Sequence, residues 1–482
     1  MAKFSKIVGN PPFGDEVAEG DEDHLGKNEL ANFTLAEGRN KIDSEQAIIE
    51  RCVSLLEPGG SLGLVVPDGM LNNQGELSNC PQTRMFLAKN GRIEGIVSLP
   101  DHAFRKSGAQ NKTSILFFKK FTRQEKRLFD RGYGKIFKAA EKAAAEGAEI
   151  DWGALIKQAL LNAKLNYQVF LAEASHVGYT PAGSHCDAND LFRAGKDGVL
   201  NNNQDGTILG EWRKFRAAPT TYAGKTLPDC MAVPFDELWM AHASNRLDPK
   251  YHLFKREAAG ALPAGWVRAK IRDLMVRRGE PEVFKNLETG EILHPDKEYG
   301  VLTISQTGEI RARAAGKGNN PPEWLGSYFA ESPGDWFASH TNDVVFSGID
   351  LWKGCISVVP EAFDGGLVTK EFPIYEVIDD RLTPEFLQVL LRSRYYQRAF
   401  RAITTGHSNR RRTQVPDFEQ IEIGFPSDKR EQQRLIADIV KARQGQRDAA
   451  EKLKKALLVF SDMIDGRGEE ELPEVNAGPT EE

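Results

Sequence analysis

Asn10-Pro11-Pro12-Phe13 is the part of this sequence whose side chains could do chemistry. It follows a short apolar stretch ending in Ile7 and Val8, which reads as a strand running into a turn-rich loop. An exocyclic amino group on a nucleobase is a poor nucleophile, because its lone pair is delocalised into the ring. Two acceptors that bind its hydrogens would localise the lone pair and aim it at an electrophilic methyl. The Asn10 side-chain oxygen and a backbone carbonyl, with Pro11 as its candidate source, could be those acceptors. The prolines hold φ and add no competing N–H. Phe13 offers a flat face for a base flipped out of a duplex. The same tetrapeptide is also good turn chemistry, so on its own it is an even choice.

Around this motif the chain alternates strand and helix signals. Ser44 opens a helical stripe through Ile48, Ile49, Val53 and Leu56, with Ser44 as the candidate N-cap and EPGG as the stop. Residues 61–67 read as a buried strand, 81–90 as a helix, and 92–100 and 113–121 as strands. This order predicts a parallel α/β sheet. Residues 15–43 read as a long polar loop. Residues 123–165 read as helical and 166–235 as an irregular excursion.

With this context, KFSKIVGNPPFG, LLEPGGSLGLVVPDGML and RIEGIVSLPDHAFRKSGAQNKTSILFFKK, spanning residues 3–121, resemble adenine-specific DNA methyltransferases. The likeness is to the modification subunits of type I restriction-modification systems and related fused enzymes. NYQVFLAEASHVGYTPAGSHCDANDL (166–191) looks like the segment after the catalytic domain in that group. The resemblance implies that Asn10, Pro11, Pro12 and Phe13 form a catalytic loop transferring methyl from S-adenosylmethionine to adenine N6. In that family a glycine-rich cofactor motif with an acidic ribose partner precedes the loop. Here nine residues precede Asn10, and neither FSGIDLWKG (346–354) nor TTGHSNR (404–410) fits a strand–GxG–helix pattern. The cofactor-binding residues are therefore unknown. The expected supplier is a partner carrying the N-terminal half of the methyltransferase, unless residue 1 is an artificial cut.

The second half, from GWVRAKIRDL through NDVVFSGIDLWKGCISVVPEAFDGGLVTKEFPIYEV to SNRRRTQVPDFEQIEIGFPSDKREQQRLIADIV, resembles a target-recognition domain of a type I specificity subunit. Seven arginines and no acid lie between Arg392 and Arg412. Guanidinium forks suit phosphates and guanine edges. Arg410, Arg411 and Arg412, with Arg398 and Arg401, are the candidate contacts to double-stranded DNA. From Leu435 to Met463, positions spaced alternately by four and three hold eight apolar residues out of nine, a coiled-coil stripe. Packing on its own domain is the competing reading of that helix. By resemblance the helix is an assembly surface for a second copy or a specificity subunit.

Composition sets the outer bounds. The chain has 482 residues, 40% apolar and 27% charged, with a net charge of -6. Mean hydropathy is -0.45. No apolar run is long enough to cross a bilayer and no secretory core opens the chain, so a cytoplasmic protein with no membrane partner is expected. The five cysteines show no CxxC, and no metal site is expected. His176, His185 and Cys186 match no common ligand spacing, and residues 15–24 read as a solvated acidic loop.

The reading is an α/β fold. It comprises a catalytic-loop half of a Rossmann-like methyltransferase sheet (1–122), a helical and irregular connector (123–244), a mixed α+β target-recognition domain (245–428), an assembly helix (429–465) and a disordered acidic tail (466–482). The function expected is a site-specific DNA adenine-N6 methyltransferase subunit in a restriction-modification or phage-defence complex, with a nuclease subunit as a further candidate partner. The alternative is a non-catalytic specificity and assembly subunit. A protein-glutamine methyltransferase poses the same amide problem, but the arginine cluster argues against it.

Overall fold

The computed structural model describes residues 3–22, 27–104, 112–145, 147–258, 260–313, 326–331, 334–405 and 412–465. The expected acidic tail (466–482) and Arg410 and Arg411 lie outside these residues.

The first half is built on a seven-stranded sheet. Its strands are β1 (Phe4–Gly9), β2 (Leu56–Pro67), β3 (Gly91–Ser98), β4 (Thr113–Lys120), β5 (Gln168–Glu173), β6 (Lys225–Thr226) and β7 (Asp229–Pro234). In space they run β1-β2-β4-β3-β5-β7-β6. The pairs β1·β2 and β3·β5 are parallel; every other pairing is antiparallel. The sheet is therefore mixed, where strand–helix alternation predicted a parallel one. β4 follows β3 after a fourteen-residue connection and returns between β2 and β3, running against both.

Two boundaries also differ from expectation. The helix Ser44–Leu55 is followed at once by β2, and EPGG lies inside the strand. Phe4 pairs with Leu56 and Lys6 with Ser61, so the four residues are absorbed in a bulge, with Gly59 at φ +84. The N-cap is Asp43, not Ser44; the Ser44 amide donates to the Asp15 carbonyl at 2.8 Å.

The expected connector is part of this first half. β5, β6 and β7 extend the sheet, and Phe129, Ile156, Leu160, Phe235 and Trp239 share one core with Leu62, Ile96 and Phe118. The expected loop 15–43 also carries structure among its described residues. Glu16–Ala18 pairs with Lys41–Asp43 over a small core of Leu30, Phe33, Ala36, Ile42 and Ala47.

The second half has its own core, including Phe346, Tyr375, Phe400, Phe418 and Phe425. A four-stranded antiparallel sheet runs Met275–Arg278, Ile374–Val377, Val344–Phe346 and Ile356–Val358. Trp266–Lys270 pairs with Glu422–Pro426, bringing the two ends of this region together. The C-terminal helix Lys429–Asp465 joins this core through its first turns. Gln432 is fully buried, donating to the carbonyls of Arg381 (2.7 Å) and Pro426 (2.8 Å), and Ile436 is 5% exposed. Further along, Ile439, Leu453 and Phe460 of the predicted stripe are exposed. Packing on its own domain accounts for the start of this helix and leaves the rest of the stripe uncovered. No described helix is long and apolar enough to cross a membrane.

Candidate active site and nucleic-acid interface

β1, β2, β3 and β5 share one direction, so their C-terminal ends form one rim. Crevices on that side of an open α/β sheet are where ligands bind. Asn10-Pro11-Pro12-Phe13 leaves β1 on this rim. Gly9 faces Leu64 of β2, and a Cβ at residue 9 would come within 3.1 Å of Leu64 Cδ2. The chain thus leaves the strand in close contact with its neighbour. At the far end of the loop the Gly14 amide donates to Glu45 Oε1 at 3.0 Å. Glu45 is buried in the first turn of the helix Ser44–Leu55, where a carboxylate also suits the positive end of the helix dipole. Between these two anchors Asn10 is exposed and Phe13 is half-buried. An amide and an aromatic face are thus held at the rim on a loop fixed at both ends, which is suited to taking up a planar amino-bearing ring.

Charged side chains line the rim, buried at Asp68, Lys112 and Lys250 and half-buried at Asp101 and Glu173. Asp68, directly after β2, accepts the Ser114 hydroxyl at 2.6 Å and lies 3.4 Å from Lys112 Nζ. Asp101 follows β3, and Glu173 ends β5. Lys250, from the helix Pro249–Ala258, is 3.5 Å from Glu173 and 4.0 Å from Asp101. Burial, together with the neighbouring Lys112 charge, pushes the Lys250 pKa down to about 7. None of Glu45, Asp68, Asp101, Glu173 and Lys250 stood out in the sequence. They are scattered single acids and a lysine, and no spacing rule links them.

The arginine cluster divides once its partners are seen. Arg392 is a brace, donating to the carbonyls of Gly354 (2.5 Å) and Gln306 (3.1 Å). Arg401 is held by Asp101, at 3.2 Å. Arg412 is exposed and pairs with Glu371 at 2.9 Å. Arg394 and Arg398 are exposed on the helix Arg394–Ile403, while Tyr396, Ala399, Phe400 and Ile403 turn into the core. Tyr396 is thus a core residue whose hydroxyl accepts the Gly424 amide at 2.8 Å, and Tyr395 packs on Phe254. The five predicted DNA contacts therefore reduce, among described residues, to two exposed side chains, Arg398 and Arg412, and one engaged elsewhere, Arg401.

The weaker candidates find local partners. His176 Nδ1 lies 3.4 Å from Asp190, His185 packs edge-on against Tyr179, and the Cys186 thiol faces the Ala188 carbonyl. In the acidic 15–24 stretch Glu16 pairs with Lys41, and Asp21 accepts the Ala18 amide. Among the described residues no group of three or more His, Cys, Asp or Glu could hold a metal ion.

Residues 1–144 match the family model of N-6 DNA methylases. That match takes in the Asn10–Phe13 loop, β1 to β4 and the helix Arg123–Ala145 except its last residue. No curated protein matches the chain. Among solved structures, the chain is similar to a type I restriction-modification assembly at 16% identity, covering 52% of this chain and 38% of that one, with a TM-score of 0.30. It is similar to the HsdS subunit from Thermoanaerobacter tengcongensis at 19% identity, covering 45% and 53%, with a TM-score of 0.29. With the type IIG restriction endonuclease BpuSI it shares 11% identity over 91% of this chain and 49% of that one, at a TM-score of 0.35. The chain thus spans between 38% and 53% of the length of these three proteins.

Proposed function

We propose that this chain supplies the catalytic loop and the target-recognition part of a site-specific DNA methyltransferase that modifies adenine N6. The observation that carries the reading is the anchored loop Asn10–Phe13 at the C-terminal rim, inside the stretch that matches the N-6 DNA methylase model. In this reading a flipped adenine stacks on Phe13. Its amino hydrogens go to the Asn10 side-chain oxygen and the Pro11 carbonyl, which localises the nitrogen lone pair. Arg398, Arg410, Arg411 and Arg412 take phosphates of the bound duplex.

Among the described residues, the turns that follow β1, β2 and β3 lack the glycine-rich pattern expected of an S-adenosylmethionine cradle. β1 leads into Asn-Pro-Pro-Phe, β2 into Pro67-Asp68-Gly69, and β3 into Leu99-Pro100-Asp101. None of these is a glycine-rich strand-to-helix turn. β1 is at the edge of the sheet, and its outer side is open; Val8 is 87% exposed and Phe4 48%. An open apolar edge is normally covered. We assign that edge to a partner segment bearing the methyltransferase N-terminal half and the cofactor site. The uncovered stripe of the C-terminal helix would join a second copy or a specificity subunit, in a restriction-modification or phage-defence complex.

The test is to express the chain together with the reading frame directly upstream of its gene and map N6-methyladenine by single-molecule sequencing. Wild type is expected to modify one adenine of one motif. Asn10→Ala and Phe13→Ala are expected to lower modification by a hundredfold or more, the order lost when a group that stabilises the transition state is removed. Duplex affinity should stay near wild type. Normal turnover by Asn10→Ala would move the assignment to a specificity and assembly subunit in which this loop is only structural.

A further inference from the structure

The two halves meet across a joint of charged side chains. On the sheet side are Asp101 after β3, Glu173 at the end of β5, Gln74 and His242. On the recognition side are Arg401 and Ala402 at the end of the helix Arg394–Ile403, and Asp417 in the helix Val415–Glu419. Arg401 Nη2 reaches Asp101 Oδ1 at 3.2 Å. Gln74 Nε2 donates to Asp417 Oδ2 at 2.6 Å, and His242 Nε2 stands 2.9 Å from Asp417 Oδ1. Arg246, fully buried in the connecting segment, donates to the Ala402 carbonyl at 2.7 Å and grips Asp248 at 2.9 Å and 3.0 Å. The helix Pro249–Ala258 lies between the halves. Its Lys250, only 6% exposed, faces both Asp101 and Glu173, and its ammonium has no hydrogen-bond partner.

Among the described residues Lys112 pairs with Asp68, Lys250 faces Asp101 and Glu173, and Arg401 pairs with Asp101. An ion-paired joint adds little net stability compared with apolar packing. What it does well is admit one arrangement, because a slip parts the half-exposed Arg401–Asp101 pair and leaves the buried Lys250 without its two carboxylates.

The joint is tied at each end to a part of the proposed function. Arg401 is three residues from Thr404, and Thr404–Thr405 pairs with Arg412–Thr413. Moving the end of this helix therefore moves Arg412. At the other end, β3 is separated from β1 by β4 and β2 in the same sheet. Three inter-strand steps make about 14 Å from Asp101's strand to the strand bearing Asn10.

We propose, resting on the function above, that Asp101 and Arg401, with Lys250 on the other side of Glu173 and Asp101 from solvent, are positioning residues. They set the register between the DNA-reading surface and the Asn10 loop, and so decide which adenine of a bound site is delivered.

The experiment uses the full chain coexpressed with its upstream frame, with methylated adenines mapped by single-molecule sequencing and duplex affinity measured separately. Arg401→Gln and Asp101→Asn are expected to keep the recognised motif and to bind its duplex within about threefold of wild type. Modification at the wild-type adenine should fall at least tenfold, or spread to neighbouring adenines. Arg401→Lys, which keeps the ion pair, is expected to restore both site and level. Circular dichroism identifies any variant that fails to fold, and Lys250→Met then serves as the second probe, with the same expected spread. Wild-type position and level in Arg401→Gln would overturn the proposal, as would a loss of duplex affinity as large as the loss of methylation, which would make Arg401 a DNA contact. A wild-type complex that methylates nothing overturns the functional reading as well. Wild-type methylation with an unaffected Arg401→Gln overturns this inference alone.

Discussion

Glu45 accepts the backbone amide of Gly14 at 3.0 Å across 31 residues of sequence. This bond, beside the Ser44 amide's bond to the Asp15 carbonyl, holds the exit of the Asn10–Phe13 loop against the helix Ser44–Leu55, while the Gly9–Leu64 contact holds its entry. The loop is held at both ends by groups other than the Asn10 side chain, which is exposed. Glu45→Ala is therefore expected to lower the methylation rate without touching the reacting groups. A charge-assisted hydrogen bond of this kind contributes about 1.5–3 kcal/mol, so about a tenfold to hundredfold loss is expected. Hydrogen exchange at Gly14 is the direct readout. Unchanged protection there in Glu45→Ala would mean that the loop is held by other contacts.

Replacing Arg410, Arg411 and Arg412 with Ala is expected to weaken duplex binding and flatten its salt dependence. Each lost phosphate contact should reduce the slope of log affinity against log salt by about 0.9. Arg412 also has Glu371 at 2.9 Å, an exposed pair that competes with phosphate. Glu371→Gln alone should therefore strengthen binding slightly. A triple variant with the wild-type slope would remove this loop from the phosphate contacts.

His252 predicts an acid-sensitive joint. It is 5% exposed in the helix Pro249–Ala258, and its Nε2 stands 2.9 Å from the Arg246 carbonyl. Burial pushes its pKa down to about 4, against the opposing pull of Asp248. The unfolded chain takes up this proton near pH 6.5, the folded chain only near 4. The folded state binds fewer protons in that interval, so this stability is present above pH 6.5 and is lost as pH falls toward 4. The full loss is about 3 kcal/mol, from about 2.5 pH units at 1.36 kcal/mol each. Urea unfolding from pH 7 to 4 should show it, and His252→Gln, which keeps a donor for Arg246, should flatten that part of the curve. An unchanged curve would place the acid sensitivity elsewhere.

The C-terminal helix is best tested away from its buried start. Leu453→Glu with Phe460→Glu alters positions 61% and 60% exposed, so folding should be unaffected. Light scattering of the complex is expected to show a lower mass, because two charges would enter an apolar stripe. An unchanged mass would leave the helix without an assembly role at these positions.

Much of the element layout was legible in the sequence because it is local. The expected assembly helix was 429–465, and the helix found is Lys429–Asp465. Residues 81–90 correspond to Cys80–Asn90, and 113–121 to Thr113–Lys120. The Asn10–Phe13 loop was legible as a loop following a strand, since turn chemistry and apolar periodicity are read within a few residues.

Strand order and charge pairing were not legible. VFLA at 169–172 looked like part of an excursion, yet β5 forms parallel to β3 because that place in the sheet covers Val169 and Leu171 on the side of the main core. Asp101 and Arg401 are 300 residues apart, and nothing near either one marks it as a partner. Local patterns set which segments become strands and helices. The tertiary structure alone decided which rim received Asn10 and how the helix Arg394–Ile403 was fastened to the sheet. Those contacts depend on desolvating pairs of groups brought together only when the sheet and the second core have formed.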